Sequence, residues 1–189
     1  MQRIAIFASG TGSNAVKIIE HFKGHPTIDI SLVLSNNVKA PVLEKAINAG
    51  VQTHTFNRES FYNTNQVLNK LNSKNVDLIV LAGFMWLVPE NIVHEYSDRM
   101  MNIHPALLPK YGGKGMYGMH VHNAVKAAGE KETGITIHLV NKEYDKGRIL
   151  FQAKCMLDAA DSPEDIAQKI NVLEHANFPT QIERYLESI

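Results

Sequence analysis

The chain has 189 residues, with nineteen basic and nineteen acidic side chains, so its formal net charge is zero. This length is enough for one α/β domain, and the charge balance gives no electrostatic reason to expect a nucleic-acid or membrane-surface partner. Cys155 is the only cysteine, which excludes an internal disulfide and a zinc site built from cysteines. No apolar run reaches the roughly 18 residues of a membrane span, and the N-terminal run is too short for a signal peptide. We therefore expect a cytoplasmic protein.

Short apolar runs alternate with amphipathic stretches in the first half of the chain. They predict strands over residues 4–8, 28–34, 51–56 and 76–82, and helices after residue 14, from residue 41 and over residues 59–71. Residues 78–82 are apolar throughout, which is typical of a central parallel strand covered on both faces. Strands that alternate with helices in this way predict a parallel sheet with right-handed crossovers.

The second half has a different pattern. A short strand over residues 99–103 precedes residues 107–118, which hold four glycines and a proline without helical periodicity; a loop this long in a compact domain is usually functional or disordered. Strands over residues 133–139 and 148–156 follow. Ser162 and Pro163 then start a last helix as N-cap and first helical residue, which Pro179 is expected to kink or divide.

Together these elements predict an α/β fold with a single domain over residues 1–189. Its centre is expected to be a Rossmann-like, mostly parallel twisted sheet that is flanked by helices. The strands after residue 130 do not alternate with helices, so we expect an antiparallel addition in the C-terminal half.

A glycine-rich loop, Gly10-Thr11-Gly12-Ser13-Asn14, joins the first strand to the first helix. In a parallel sheet this position favours anions, because glycines let the backbone approach and a helix N-terminus offers free N–H groups. The third glycine of a dinucleotide fingerprint, an acidic residue after the second strand and a Walker lysine are all missing. A single phosphate is therefore favoured over a dinucleotide or ATP. The alternative is a tight turn in which Ser13 or Asn14 caps the helix.

Asn102 and His104 lie two residues apart at the end of a predicted strand, so their side chains project to the same face. An amide can stabilise a developing oxyanion, and an imidazole can move protons between an attacking amine and a leaving nitrogen. A carboxylate from Asp145 near His104 is expected to raise the pKa of the imidazole, and His138 is expected to line the same pocket. Alternatively, the histidine is structural, the amide satisfies loop backbone groups, and Asp145 is an ordinary turn residue.

The other histidines do not form a convincing set of metal ligands. His120 and His122 are two residues apart at the start of a helix, so their side chains point to different faces, and no third ligand is evident. We therefore expect no metal ion in the site.

These segments resemble the folate-dependent formyltransferases over about residues 1–186. Within that family, the resemblance is to the enzymes that act on glycinamide ribonucleotide. The most specific match is the motif Asn-Ile-His-Pro-x-Leu-Leu-Pro, which is typical of formyltransferases and related hydrolases; the Ser-Gly-x-Gly-Ser-Asn loop narrows the choice to the ribonucleotide branch. The matching segments are Ser9-Gly10-Thr11-Gly12-Ser13-Asn14, Val80-Leu81-Ala82-Gly83-Phe84-Met85, Asn102-Ile103-His104-Pro105-Ala106-Leu107-Leu108-Pro109, Thr133-Gly134 with His138, and Asp145 with Gly147.

The resemblance implies a role for each matching residue. The catalytic group is Asn102, His104 and Asp145, with His138 beside them, and the loop that holds the ribonucleotide phosphate is Gly12, Ser13 and Asn14. Residues expected near the rest of that substrate are Asn171, Val172, Leu173 and Glu174. Residues expected to bind the folate are Met85, Trp86, Leu87, Val88, Asn102, Asn141, Lys142, Glu143, Tyr144 and Asp145.

The implied reaction moves a formyl group from 10-formyltetrahydrofolate, as co-substrate, to the amine of 5-phosphoribosylglycinamide. The amine attacks directly through a tetrahedral intermediate, without a metal or a covalent enzyme intermediate. The phosphate-binding half is expected at about residues 1–100 and the folate and catalytic half at about residues 101–189. Small molecules are the expected partners, and we expect a monomer or weak homodimer.

Two segments depart from the family pattern. The loop over residues 111–118 is longer and richer in glycine than the usual Tyr-Pro-Gly version, and its added Lys114 could contact the substrate phosphate. Thr64 and Trp86 stand where some relatives have arginines near the folate, so contacts to its glutamate tail are expected to differ.

Related activities are less consistent with this sequence. Methionyl-tRNA formyltransferases add a C-terminal domain and a basic surface, formyltetrahydrofolate hydrolases add an N-terminal regulatory domain, and sugar-nucleotide formyltransferases normally lack the Gly-Ser-Asn loop. A catalytically silent binding module with the same fold is the alternative from another class. The presence of Asn102, His104 and Asp145 together argues against it.

Overall fold

The computed structural model describes residues 1–189, and seven strands form one sheet at its centre. The strands are β1 (Gln2–Phe7), β2 (Ile28–Ser35), β3 (Thr53–Thr55), β4 (Leu78–Leu81), β5 (Met100–His104), β6 (Glu132–Leu139) and β7 (Ile149–Met156). Their order across the sheet is β3-β2-β1-β4-β5-β6-β7. β1 to β5 are parallel, whereas β6 and β7 pair antiparallel with their neighbours. The predicted fold class, including its antiparallel addition, is confirmed.

Helices cover both faces of this sheet. They are α1 (Ser13–Phe22), α2 (Pro41–Asn48), α3 (Gln66–Ser73), α4 (Glu90–Glu95), α5 (Met119–Ala127) and α6 (Pro163–Glu187). Ile4 and Ile6 of β1 pack in the core beneath α1, α2, α5 and α6, while Ala5 and Phe7 pack with α3 and α4. Successive side chains of a strand point to opposite faces, which explains why the central strands are apolar throughout. No helix combines the length and hydrophobicity needed to cross a membrane.

The predicted helix over residues 59–71 is wrong at its centre. It is divided into a single π-helical turn, Glu59–Asn63, and α3, with Thr64 extended between them at φ −137°. The Thr64 hydroxyl donates to the Ser60 carbonyl at 3.0 Å and accepts from the Gln66 N–H at 3.2 Å. These side-chain hydrogen bonds compete with the helical ones and end the helix.

The last helix, α6, begins as predicted. The Ser162 hydroxyl accepts the Asp165 N–H at 3.1 Å, and the Asp165 carboxylate accepts the Ser162 N–H at 2.8 Å, which completes a capping box. The predicted division at Pro179 is wrong, because α6 continues to Glu187. Phe178 and Pro179 are both buried in α6, with Phe178 in the core, and this packing holds the helix together although proline lacks one amide donor.

The strand order determines where a ligand can bind. From β1 the chain moves outward through β2 to β3 and then returns to β4 on the other side of β1. The loops after β1 and β4 therefore leave in opposite directions, and such a switch point opens a crevice at the carboxyl ends of the strands. Residues 10–14 follow β1, residues 82–88 follow β4, and His104 ends β5. The fold thus brings the glycine loop and the Asn102–His104 pair to the same edge.

Candidate active site

A cavity of about 920 Å³ opens at this edge of the sheet. Its size is near the upper end of the range for small-molecule sites. The lining comes from residues 10–14, 81–88, 102–105 and 113–118, together with parts of the segments 122–145 and 167–174. Loops from both halves of the chain therefore form one site.

The loop after β1 can adopt its conformation only with glycine at position 12. Gly12 has φ +69°, and an added Cβ would lie 2.2 Å from the Val42 side chain. Gly12 is the N-cap of α1, and no side chain makes the capping hydrogen bond. The alternative in which Ser13 or Asn14 caps the helix is therefore wrong. Backbone N–H groups at this helix N-terminus lie beside the cavity, which is the arrangement that suits an anion.

Asn14 and Glu174 connect this loop to α6. The Asn14 side-chain N–H donates to the Glu174 carboxylate at 2.8 Å. Burial raises the pKa of Glu174, and the hydrogen bond from Asn14 offsets this only in part. The Asn14 side-chain oxygen is buried without a hydrogen-bond partner. The pair therefore offers acceptor oxygens to the hydroxyl or amine donors of a ligand.

Asp145 lies between two buried histidines. One carboxylate oxygen is 3.6 Å from His104 Nδ1, and the other is 3.6 Å from His138 Nε2. The antiparallel pairing of β5 with β6 places Asn102 opposite His138. The Gly113 N–H donates to Asp145 Oδ2 at 2.9 Å, which fixes the carboxylate from the loop side. The structure thus brings the four predicted catalytic residues together.

Hydrogen bonds define the tautomer of each histidine. His104 Nε2 lies 2.7 Å from the Tyr111 carbonyl, and because a carbonyl only accepts, this nitrogen carries a proton. The lone pair of a neutral His104 is therefore on Nδ1, the atom that faces Asp145. His138 Nδ1 donates to the Leu139 carbonyl at 2.8 Å, which leaves Nε2 to accept an N–H from Asn102 at 3.1 Å. The second amide N–H of Asn102 remains for a ligand.

Burial controls the protonation of His104. Its pKa is lowered, mainly by desolvation, and the charge of Asp145 offsets only part of that effect. Asp145 thus raises the pKa of His104 as predicted, but desolvation, which the prediction left out, outweighs it and the net shift is downward. Burial also pushes the pKa of Asp145 upward, but His138, His104 and the Gly113 N–H together hold it below its ordinary value. At neutral pH the site combines an ionised carboxylate with a neutral imidazole, which is the form that accepts a proton.

The other predicted binding residues divide into two groups. Those that line the cavity are Met85, Trp86, Leu87, Val88, Asn141, Glu143, Tyr144, Asn171 and Glu174. Lys142 and Val172 are exposed and lie outside the lining, and Leu173 packs against the core beneath α6. The structure therefore gives these three residues no direct place in the site. Thr64 also lies outside the lining, while Trp86 has the Arg58 guanidinium 4.7 Å above its ring.

Three contributors to the site were missed by sequence reasoning: the Tyr111 carbonyl, the Gly113 N–H and His122. The first two are backbone groups of a loop without periodicity, so side-chain patterns carry no signal for them. His122 is buried in the cavity wall and its Nδ1 has no partner, whereas His120 is exposed, so the two do point to different faces. No three His, Cys, Asp or Glu side chains are grouped so as to hold a metal ion.

Comparisons with known proteins agree with this geometry. The formyl transferase family model matches residues 2–182. The chain is 35% identical to phosphoribosylglycinamide formyltransferase of Escherichia coli over 95% of this chain and 84% of that protein. It is 38% identical to the chloroplastic phosphoribosylglycinamide formyltransferase of Arabidopsis thaliana, over 92% of this chain but only 62% of that protein.

A solved structure shows the same architecture. Glycinamide ribonucleotide transformylase 1 of Symbiobacterium toebii superposes with a TM-score of 0.90 at 30% identity, covering 100% of this chain and 89% of the other. A likeness of this extent includes every segment that lines the cavity. The chain therefore belongs to the formyl transferase family.

Proposed function

We propose that this chain transfers the formyl group of 10-formyltetrahydrofolate to the amine of 5-phosphoribosylglycinamide, giving formylglycinamide ribonucleotide and tetrahydrofolate in purine biosynthesis. One observation carries the proposal. The Asp145 carboxylate lies 3.6 Å from both His104 and His138, inside the cavity that also contains the Gly12 loop. A phosphate-binding loop and proton-transfer groups in one cavity are what formylation of a phosphorylated amine requires. The relatives at 35% and 38% identity carry the name of that enzyme.

The contacts of His104 support the part that we propose for it in the reaction. The substrate amine attacks the formyl carbon, forming a new C–N bond and an oxyanion. His104 accepts the amine proton on Nδ1, since Nε2–H is held by the Tyr111 carbonyl, and the nearby Asp145 carboxylate stabilises the imidazolium that results. The proton then passes to the folate nitrogen as its bond to the formyl carbon breaks. The electron pair of that bond leaves with the nitrogen, and His104 returns to its neutral form.

Asn102 stabilises the charge that develops on the formyl oxygen. One of its amide N–H groups is held by His138 Nε2 at 3.1 Å, and the second is directed to the oxyanion in our proposal. His138 is held in turn by the Leu139 carbonyl, so the amide is oriented before the substrate binds. A donor fixed in advance costs no reorganisation during the reaction.

The lining residues support a separate position for each of the two substrates around this centre. We assign the ribonucleotide phosphate to Gly12, Ser13 and Asn14, because α1 begins there with free N–H groups. Glu174 and Asn171 then bind the ribose or the glycinamide portion. We assign the folate to the other side of the cavity, where the apolar and aromatic lining residues are Met85, Trp86, Leu87, Val88 and Tyr144.

The proposed site does not follow the expected division of the chain into a phosphate-binding half and a folate and catalytic half. The folate side uses residues 85–88, which precede residue 101, and the ribonucleotide side uses Asn171 and Glu174, which follow it. Each substrate is thus bound by both halves. The cytoplasmic location and the monomer or weak homodimer stay predictions, which cell fractionation and analytical ultracentrifugation would check.

A direct assay tests the function. Purified protein given both substrates should release tetrahydrofolate and formylglycinamide ribonucleotide in equal amounts. His104→Ala should lower kcat by roughly 10²-fold or more, the usual contribution of a general acid–base group. His94→Ala is the matched control, because His94 is exposed on α4 and does not line the cavity. If methionyl-tRNA is formylated instead, or if His104→Ala keeps normal turnover, the proposal is wrong.

A further inference from the structure

The cavity that is proposed to bind a phosphorylated substrate is lined by more negative than positive side chains. Three carboxylates line it, from Glu143, Asp145 and Glu174. Lys114 is the only lysine or arginine among the lining residues. A phosphate monoester carries a charge of about −1.5 to −2 at neutral pH, and the N-terminus of α1 supplies only partial positive charge. Lys114 is therefore the one full positive charge within the lining that can balance the phosphate; the Lys45 ammonium, which donates to the Thr11 carbonyl at 2.8 Å, lies outside it.

Lys114 is also uncommitted within the protein. The neighbouring Lys110 is paired with Glu130 at 2.8 Å, and Lys146 is paired with Glu143 at 2.6 Å. Lys114 is exposed and has no carboxylate within 4.0 Å. Its ammonium group can consequently bind a ligand without breaking an existing ion pair.

The backbone around Lys114 suits a residue that adapts to a ligand. Gly113 and Gly115, on either side of it, have φ +97° and +88°, values that L side chains rarely adopt. An added Cβ at either position would meet no atom within 4 Å, so conformation rather than crowding is the reason for glycine here. Gly113 also donates its N–H to Asp145 at 2.9 Å. The lysine is thus one residue from a group that positions the catalytic carboxylate.

We infer that Lys114 binds the phosphate of the ribonucleotide substrate, as a second anchor beside the Gly12-Ser13-Asn14 loop. The inference rests on the proposed function and adds a residue of the glycine-rich loop to it. When Lys114 binds the phosphate, it holds the loop over residues 111–118 against the substrate. Because Gly113 is next in the chain, the same contact fixes the N–H that holds Asp145 beside His104.

A comparison of variant and substrate tests this inference. Lys114→Gln should raise the KM for 5-phosphoribosylglycinamide roughly tenfold, the scale of one charge-assisted hydrogen bond that is partly screened by salt. The KM for 10-formyltetrahydrofolate should stay within about twofold. With glycinamide riboside, which lacks the phosphate, kcat/KM should be the same for Lys114→Gln and the unmodified protein, as in a double-mutant cycle. Lys114→Arg should restore most of the affinity.

Two further measurements separate the phosphate contact from general effects. Inorganic phosphate should inhibit the unmodified protein competitively against the ribonucleotide, and Lys114→Gln should need roughly tenfold more phosphate for the same inhibition. Lys131→Gln is the control, since Lys131 is exposed, lies outside the cavity lining and loses the same charge.

An unchanged ribonucleotide KM in Lys114→Gln would overturn the inference while leaving the proposed function intact. A rise confined to the folate KM would overturn it too, because Lys114 would then bind the folate carboxylates. Failure of the unmodified protein to formylate the ribonucleotide would instead refute the proposed function.

Discussion

His104 has two contacts, and they affect its chemistry in different ways. The Tyr111 carbonyl, 2.7 Å from Nε2, decides which nitrogen carries the proton, while Asp145 lies 3.6 Å from the other nitrogen. Desolvation lowers the pKa of this ring more than the carboxylate raises it. The ring is therefore neutral before the amine attacks, and the carboxylate acts by stabilising the imidazolium that forms afterwards. Such a division suits a group that must accept a proton and then return it.

Replacing Asp145 with asparagine separates these two effects. Asp145→Asn keeps the shape of the side chain but removes its charge, so the pKa of His104 should fall further below its ordinary value. The rising limb of the kcat/KM profile against pH, which reports the neutral base, should move to lower pH. The plateau should drop by roughly 10²-fold, because the imidazolium loses its stabilising charge. Steady-state kinetics across the pH range measures both changes.

The control for that measurement is Asp158→Asn on the exposed turn before α6. Its side chain is 86% exposed and lies outside the cavity, so its profile should match that of the unmodified protein. A rising limb that moves to higher pH in Asp145→Asn would contradict the assignment of His104 as the base. An unchanged plateau would show that the carboxylate takes no part in turnover.

At the scale of elements, the sequence predicted what apolar patterning controls. The central strands follow from their continuous apolar runs, and the start of α6 follows from its N-cap serine and the proline after it, signals that lie within a few residues of the sequence. α4 was missed because six residues, Glu90–Glu95, are too few to show helical periodicity. The lowered pKa of His104 was missed for a different reason: desolvation depends on segments far apart in the chain. Asn102 and His104 could be paired from their spacing on one strand, but only the family resemblance assigned Asp145 to the same catalytic group.

The loop between β5 and α5 is anchored by a side-chain contact outside the cavity. The Tyr111 hydroxyl donates to Glu130 at 2.9 Å, while the Tyr111 carbonyl holds His104. Tyr111 also has φ +56°, an uncommon value for a side chain of this size. The contact with Glu130 therefore helps to keep the carbonyl in the position that orients the catalytic ring.

Loss of this anchor should lower kcat a few-fold while leaving KM nearly unchanged, since the ring is misplaced but the binding residues are intact. Tyr111→Phe should show this loss, and Glu130→Ala, which also removes the ion pair with Lys110, should show at least as much. The double variant should be no worse than Glu130→Ala alone, as expected when Tyr111 acts through its contact with Glu130. Thr53→Val, on the distant edge strand β3, should leave kcat unchanged. Additive losses in the double variant would mean that the two residues act independently.

Across the whole molecule, the site and the packing of α1 against α6 depend on the same residues. Glu174 of α6 accepts from Asn14 of α1 beside the cavity. Farther along α6, Glu183 contacts His21 of α1 at 2.7 Å and His25, which follows the end of α1, at 3.2 Å. The apolar contact between these helices belongs to the larger part of the core. A change in the charge of Glu174 should consequently affect folding as well as binding.

Glu174 should make the protein less stable as the pH rises. Its pKa is raised in the folded state by burial, so in the interval above the ordinary value of 4.5 the unfolded chain releases a proton that the folded chain retains. Stability falls through that interval and does not recover above it. Glu174→Gln cannot ionise and still accepts from Asn14, so its free energy of unfolding relative to the unmodified protein should be larger at about pH 7 than at about pH 4. Urea titrations at both values measure this, with exposed Glu187→Gln as the control. A difference that stays constant with pH, or shrinks as the pH rises, would mean that the carboxylate of Glu174 is stabilised as an anion in the folded protein.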